Sequence, residues 1–570
     1  MINPEVVMRH CCSLSLLTLI LVSFACGPGV EPEPADLVMI GGTIVTMVDE
    51  GDEVEALAAR DQRIVATGSE KKIWPYIGPE TVVVDLDGDV AYPGFIEAHA
   101  HFVGIGRARM QLDLRPARTW DDIVAMVEAA AAQTPAGAWI EGRGWHQEKW
   151  TTPPEPSVDG LPIHDALSAV SPDHPVVLTH ASGHAAMVNQ AALEIAGITG
   201  TTPDPDGGEI VRDASGRPIG VLRENAEALV LRHRPVGDAD AMIVRAVQLA
   251  SEECLAKGIT SFHDAGTRLD QLPLLQRLAD DGRLGVRLYV MLTDSAEDLA
   301  PHLDEVRRIG SADGFLTVRA IKRWIDGALG AHGAWLLEPY DDLPQSSGLN
   351  TEDLDEMRAT AEVAAKHGFQ LCVHAIGDRA NRETLDLYER AFEDRDGLRQ
   401  ARWRIEHAQH LHPDDIPRFG ALGVIASMQP VHCTSDGPWV PQRLGERRAA
   451  EGAYVWRSLL DSGAVIATGT DAPVEDVDPL ASFRAAITRR MADGTAFHPE
   501  QRMSRHEALR SMTRDAAYAA FEEEEKGTLE VGRLADVTVL SGDLRTMPEE
   551  ALGDVAVTTT IVGGRIAFSR

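Results

Sequence analysis

Between about residue 91 and residue 468 the chain alternates short apolar runs with stretches of helical periodicity. The runs are Ala91–Glu97, Gly258–Phe262, Val286–Met291, Leu316–Ile321, Gln370–Val373, Arg402–Ile405, Val424–Ser427 and Val465–Thr468. Strands that alternate with helices pair in parallel, because each crossover helix returns the chain to the same edge. Eight such units fit a closed barrel, so the expected fold class is α/β, a (β/α)8 TIM barrel. The helical stretches carry their own punctuation. Thr351, Asp353 and Leu354 read as a helix start and Gly368 as its stop; a second helix is expected over Ala241–Ala256.

The 570 residues exceed one barrel, and the surplus has a pattern. Residues 36–92 and 525–570 both read as short strands, which predicts a small composite β-sandwich built from the two ends. Leu37 to Thr46, with Gly41-Gly42 inside, reads as a hairpin. The barrel takes 93–524, with an insertion at about 113–240 that covers its mouth. Within the insertion the turn-rich piece Pro203–Leu222 reads as a second hairpin.

A formal net charge of −35 argues against a nucleic-acid partner, whose phosphates would be repelled. At the N-terminus, Arg9 precedes an apolar run from Leu14 to Ala25 that is too short to span a bilayer comfortably, so a signal peptide over 1–25 is expected. Ser23-Phe24-Ala25-Cys26 resembles a bacterial lipobox but lacks the usual Leu three residues before the Cys. With the Pro-rich tether 26–35 it predicts an exported lipoprotein of the periplasm or cell-envelope membrane, touching membrane only through its lipid. The plainer alternative is ordinary cleavage after Ala25. Beyond the leader only Cys254, Cys372 and Cys433 remain, too sparse for a disulfide framework.

His99-Ala100-His101 stands at the end of the first run. Side chains alternate along a strand, so both imidazoles face one way and reach one metal ion. Lys322, His374, His407 and Asp471 stand at the ends of four other runs, where the strands of a barrel present functional groups. Nitrogen and oxygen ligands of this kind suit Zn, with Mn or Fe as alternatives. A lysine ammonium has no lone pair, but a desolvated neutral amine can add CO2 to give an anionic carbamate. From spacing alone, a surface or ion-paired Lys322 is an open alternative.

Pro93-Gly-Phe-Ile-Glu-Ala-His-Ala-His101, Ile321-Lys-Arg-Trp-Ile-Asp-Gly-Ala-Leu-Gly330, Val373-His-Ala-Ile-Gly-Asp378, Ile405-Glu-His-Ala-Gln409 and Gly469-Thr-Asp-Ala-Pro473 resemble the metal-dependent amidohydrolase superfamily. The closest branch is the amidohydrolase-3 group, which includes proteins like N-substituted formamide deformylase. The resemblance implies two divalent ions, one on His99, His101 and Asp471 and the other on His374 and His407. Lys322, carboxylated by CO2, would bridge them. One departure bears on substrate: family members often carry Ser-Arg where Ala331-His332 stands here.

These readings predict an enzyme that hydrolyses a non-peptide carbon–nitrogen bond, an amide or formamide, with a metal-bridging hydroxide as nucleophile and Asp471 as catalytic proton carrier. An esterase or lactonase on the same site, and a catalytically inactive binding protein of the same fold, are the alternatives. A deaminase fits less well, since such relatives usually lack the lysine. The partner expected is a small-molecule substrate, with His184, His332 and Trp145 as candidate contacts; Trp150 is a further apolar candidate. Homo-oligomers are compatible with the chain.

Overall fold

The computed structural model describes residues 32–235, 238–393 and 398–570. The leader, Cys26 and most of the tether lie outside the described residues. Eight parallel strands form the nearly closed barrel: β1 (Phe95–Ala100), β2 (Ile259–Thr267), β3 (Arg287–Leu292), β4 (Leu316–Trp324), β5 (Gln370–Ala375), β6 (Arg404–His407), β7 (Ile425–Met428) and β8 (Ile466–Thr468). Sequence order is spatial order, with each strand in parallel register with the next. Both faces are covered, so β1, β3 and β5 are buried at every position, their polar residues included. The helix Leu354–His367 starts at Asp353, whose carboxylate accepts the Asp355 N–H, and stops at Gly368 with φ +67°. The helix expected over Ala241–Ala256 runs Ala239–Ala256 from the Asp238 cap.

The seam between β8 and β1 sits beside the mouth. The Asp471 N–H donates to the His99 carbonyl and the His101 N–H to the Ala472 carbonyl, both at 2.8 Å. Glu97 adds a clasp: its carboxylate accepts the N–H groups of His99 and Thr470 and the Thr470 hydroxyl. Gly469 is required here, because a Cβ would lie 2.5 Å from the His99 nitrogen.

The two ends build a sandwich of two sheets around Leu37, Ile44, Leu57, Ala91, Val537 and Ile561. Val537–Leu540 pairs antiparallel with Val90–Pro93, which ties the C-terminal segment to the N-terminal one. Two expectations need correction. The run Ala91–Glu97 is not one strand: Val90–Pro93 belongs to the sandwich and β1 begins at Phe95. The break falls at Gly94, where a Cβ would lie 2.2 Å from the Thr260 hydroxyl. Nor is Leu37–Thr46 a hairpin. Leu37–Ile40 and Thr43–Val45 belong to different sheets, and Gly41-Gly42 is the crossing point. Gly41 has φ +79° and a Cβ there would strike Asp85.

The insertion folds around its own sheet, in the order Gly208–Arg212, Pro218–Glu224, Ala185–Val188, Val176–His180, Ile140–Trp145, Leu112–Asp113. Gly208–Arg212 and Pro218–Glu224 form the hairpin read from the turn residues. Adjacent residues serve opposite faces: Leu178, Met187 and Val221 pack on one side, Val177, Val188 and Leu222 on the other. A sheet covered on both faces is stiff, and it holds the insertion's polar residues against the barrel mouth.

Candidate metal centre

Strands β1, β4, β5 and β6 run further at their C-terminal ends than the apolar runs suggest, so His99, Lys322, His374 and His407 lie within strands. Ladder pairing explains this, with Trp324 opposite His374 and Ala375 opposite His407. His101 and Asp471 follow β1 and β8. All six side chains converge on the mouth. His99 Nε2 and His101 Nε2 lie 3.5 and 3.2 Å from Asp471 Oδ1. The His407 ring stands edge-on to those of His99 and His374, with centroids 4.8 and 4.4 Å apart. Ligand atoms of His99, His407 and Asp471 all lie within 4.8 Å of one another.

The surrounding hydrogen bonds fix which nitrogen faces inward. His99 Nδ1 meets Glu406 Oε2 at 2.6 Å. An ionised carboxylate only accepts, so Nδ1 carries the hydrogen and Nε2 keeps its lone pair for the centre. Glu406 is held at a pKa of about 2: burial opposes ionisation, but the hydrogen bond from His99 and the charge of Arg404 outweigh it. His407 Nδ1 meets Gln429 Oε1 at 2.7 Å, and Gln429 is oriented by donating to the Ser427 carbonyl. Asp326 accepts the N–H groups of Trp335, Ile376 and Gly377, and its Oδ1 stands 3.6 Å from His374 Nε2.

These residues fit a bound metal by a direct test. Buried polar atoms are nearly always hydrogen-bonded. Here His99 Nε2, His374 Nε2, Lys322 Nζ and Asp471 Oδ1 are all buried and have no hydrogen-bond partner. Burial pushes the Lys322 amine toward its neutral form, against the pull of Glu406 and Asp471.

Beside this centre lies a pocket of about 580 Å3 whose lining includes His146, His180, His184, His432, Asp436 and Trp439. His184 Nδ1 pairs with Glu224 Oε2 at 2.9 Å, and its ring lies 5.6 Å from that of His374. Burial alone would lower its pKa, but Glu224 raises it to about 9. Three candidate contacts sit elsewhere. Trp145 is fully buried in the insertion core, donates to the Leu178 carbonyl, and stands edge-on behind His180. Trp150 stacks on Trp145 from the core side. His332, with φ +58°, turns its Nε2 to Asp342 and its ring to Tyr340, while Ala328 to Ala331 line the pocket in its place.

Glu406, Gln429 and Glu224 were absent from the sequence-based candidates. The one available signal for Glu406 was a charged residue inside an apolar run, at Arg404-Ile-Glu-His407. Gln429 follows β7 with no pattern to mark it, and Glu224 ends a hairpin strand whose packing partner is remote in sequence.

The amidohydrolase family model matches residues 82–568. YtcJ of Bacillus subtilis strain 168, named for the amidohydrolases, is 33% identical over 539 residues, covering 93% of this chain and 99% of its own. The N-substituted formamide deformylase of Arthrobacter pascens is 28% identical over 545 residues, 94% of this chain and 98% of that one. A metal-dependent hydrolase of Pyrococcus horikoshii superposes with a TM-score of 0.71 at 26% identity, covering 90% of this chain and 99% of that one. The matched span takes in the whole barrel, its insertion and the C-terminal half of the sandwich, so this chain belongs to the amidohydrolase family and is a metal-dependent hydrolase.

Proposed function

We propose that the protein hydrolyses non-peptide carbon–nitrogen bonds in small amides and formamides, using two divalent ions, zinc first among them. The observation that carries this reading is the set of buried, unpartnered ligand atoms on His99, Lys322, His374 and Asp471 at one mouth. In this reading His99, His101 and Asp471 hold one ion and His374 and His407 the other. Lys322 would complete the set as a carbamate: its neutral amine would form an N–C bond to CO2 and release one proton, leaving a carboxylate able to hold both ions. The buried, unpartnered state of Nζ supports this. When bound, the ions supply Lewis acidity, which polarises a carbonyl and brings the pKa of water toward neutrality.

The remaining work falls to the chain. Glu406 and Gln429 lock the His99 and His407 rings. Asp471 accepts the proton given up by the attacking water and delivers it to the departing nitrogen. His184, braced by Glu224, hydrogen-bonds substrate oxygen from the insertion side of the pocket.

Metal analysis of purified protein, followed by matched formamides, amides and esters, tests the proposal. About two divalent ions per chain and turnover of formamides or amides are expected. Full activity after complete metal removal would overturn it. Turnover of esters alone would point to an esterase, and bound metal without turnover of any class to a binding protein.

A further inference from the structure

Glu224 ends the hairpin strand Pro218–Glu224 with φ +50° and ψ −129°. Glycine adopts this corner of a mirror-image turn freely, and a residue with a Cβ adopts it only at a cost. Such strain persists where the surroundings over-determine the conformation, and it gathers at functional sites.

The surroundings here are specific. The Glu224 N–H donates to the His184 carbonyl at 3.1 Å, and Glu224 Oε2 stands 2.9 Å from His184 Nδ1, so backbone and side chain grip one residue. The other carboxylate oxygen lies against the neck of the loop that follows β4. A Cβ on Gly327 would lie 2.5 Å from Oε1, and one on Gly333 3.2 Å, so only glycines leave the carboxylate its room. The Gly327 N–H closes the neck by donating to the Gly333 carbonyl at 3.2 Å.

This one side chain therefore stands between the two halves of the pocket. On the insertion side it holds His184. On the barrel side it abuts the loop whose Ala328 to Ala331 line the pocket. That loop begins at Asp326, which accepts the Ile376 and Gly377 N–H groups just beyond His374. Glycine would satisfy the backbone at 224 and keep the N–H bond, but both carboxylate contacts would go. The carboxylate is thus what the strained backbone is kept for.

We propose that Glu224 is a positioning residue: it keys the insertion onto the β4 loop and sets His184 over the metal pocket, at the expense of backbone strain. The catalytic part of this rests on His184 as a substrate contact, as read above; the strain and the coupling do not.

The test uses Glu224→Gly, Glu224→Ala and Glu224→Gln in the whole protein, each with and without His184→Phe. Circular dichroism and metal content establish that each variant is folded. Alanine is ordinarily the more stable of the pair within a strand. At 224 the order should invert, with a higher denaturant midpoint for Glu224→Gly than for Glu224→Ala. Activity should not follow that order. Both should lower kcat/KM about 10- to 100-fold, the range for a lost hydrogen bond to a charged group, on whichever amide or ester series the wild type hydrolyses. Glu224→Gln keeps an acceptor and should recover part of the loss. In the His184→Phe background the same changes should alter kcat/KM by no more than about twofold, since a residue that acts through His184 has nothing left to position. Glu224→Ala at least as stable as Glu224→Gly would overturn the proposal, and so would losses that simply add to that of His184→Phe. Should no series be hydrolysed, the catalytic reading fails on its own. The same variants are then compared by denaturant unfolding: an inverted order with non-additive losses at 224 and 184 supports the keying, and additive losses overturn it.

Discussion

At the N-terminal end of the barrel strands, Arg287 opens β3 buried and fully paired. It donates to both oxygens of Asp536 at 2.8 and 3.1 Å and to the Asp313 carbonyl, and the Gly563 N–H completes the aspartate. At the C-terminal end, Lys322, His99 and His374 are as deeply buried, yet Nζ and two ring nitrogens have no partner. The same barrel thus treats buried polarity in two ways. Below, charge is used up in joining the barrel to Asp536, which precedes the sandwich strand Val537–Leu540. Above, the His99 and His407 rings are held rigid by Glu406 and Gln429 and their ligand atoms are left open at the centre. Stability alone would favour pairing, so the open valences mark the end where a ligand supplies the missing partners.

The contrast is broken most directly at the mouth. His99→Ala or His374→Ala should lower bound metal and abolish turnover while leaving a folded protein. Lys322→Ala should lose both as well, and short-chain acids with metal should restore part of each. Unaltered metal content and turnover in these variants would make the upper end no different from the lower. Asp471→Asn is a finer cut: it keeps a coordinating oxygen and removes the base. Metal should stay while turnover drops by about 10²- to 10⁴-fold, the usual worth of general acid–base help. Both quantities are to be measured on one sample, and near-normal turnover with metal retained removes Asp471 from the proton path.

The lower end should respond in stability. Asp536→Ala leaves Arg287 charged, buried and unpaired, at a cost of about 3–5 kcal/mol. Denaturant unfolding should show the loss, with metal per folded chain unchanged. Replacing both partners by apolar residues of similar size should cost less than the single change. A loss of metal in Asp536→Ala that matches the loss of stability would show the two ends to be coupled.

How far this was readable from sequence follows from the same geometry. The barrel strands are legible because each carries buried apolar residues, both faces of a parallel sheet being covered, and the ligands stand toward their C-terminal ends because the barrel presents that edge. What ends each strand was less visible. Alternation places His407 on the face opposite Glu406, yet the backbone at His407 has φ +75°, a left-handed turn that brings the imidazole back toward the centre. Asp471 is likewise left-handed, with φ +59°. Non-glycine residues adopt this conformation at a cost, and nothing in a hydrophobicity pattern reports it. Trp145 and His332 show the converse. Residue type suggested pocket walls, whereas a satisfied indole N–H and an Asp342 contact place both outside the lining.

A surface pair gives the smallest effect and a reference for both ends. Glu507 caps the helix Arg505–Ser511: the Ser504 hydroxyl accepts the Glu507 N–H, and the Glu507 carboxylate accepts the Ser504 N–H at 2.8 Å. Arg457 closes on the same carboxylate, with NH1 at 2.9 Å from Oε1. The Arg457 hydrogen bond, aided by the Ser504 contacts against partial burial, lowers the Glu507 pKa from its ordinary 4.5 to about 2. A depressed folded-state pKa means a contribution that is complete above the unfolded value near 4.5 and is lost as pH falls through about 2. Glu507→Gln keeps an oxygen for the Ser504 N–H but removes the charge. It should therefore cost less than about 1 kcal/mol at neutral pH, as exposed pairs do, and the cost should shrink between pH 4.5 and 2. Added salt should weaken it too, whereas the Asp536→Ala loss, shielded from solvent, should hardly respond. Unfolding of both variants across that pH range and at two salt concentrations separates the cases. A Glu507→Gln loss independent of pH would assign the effect to the cap's geometry and not to its charge.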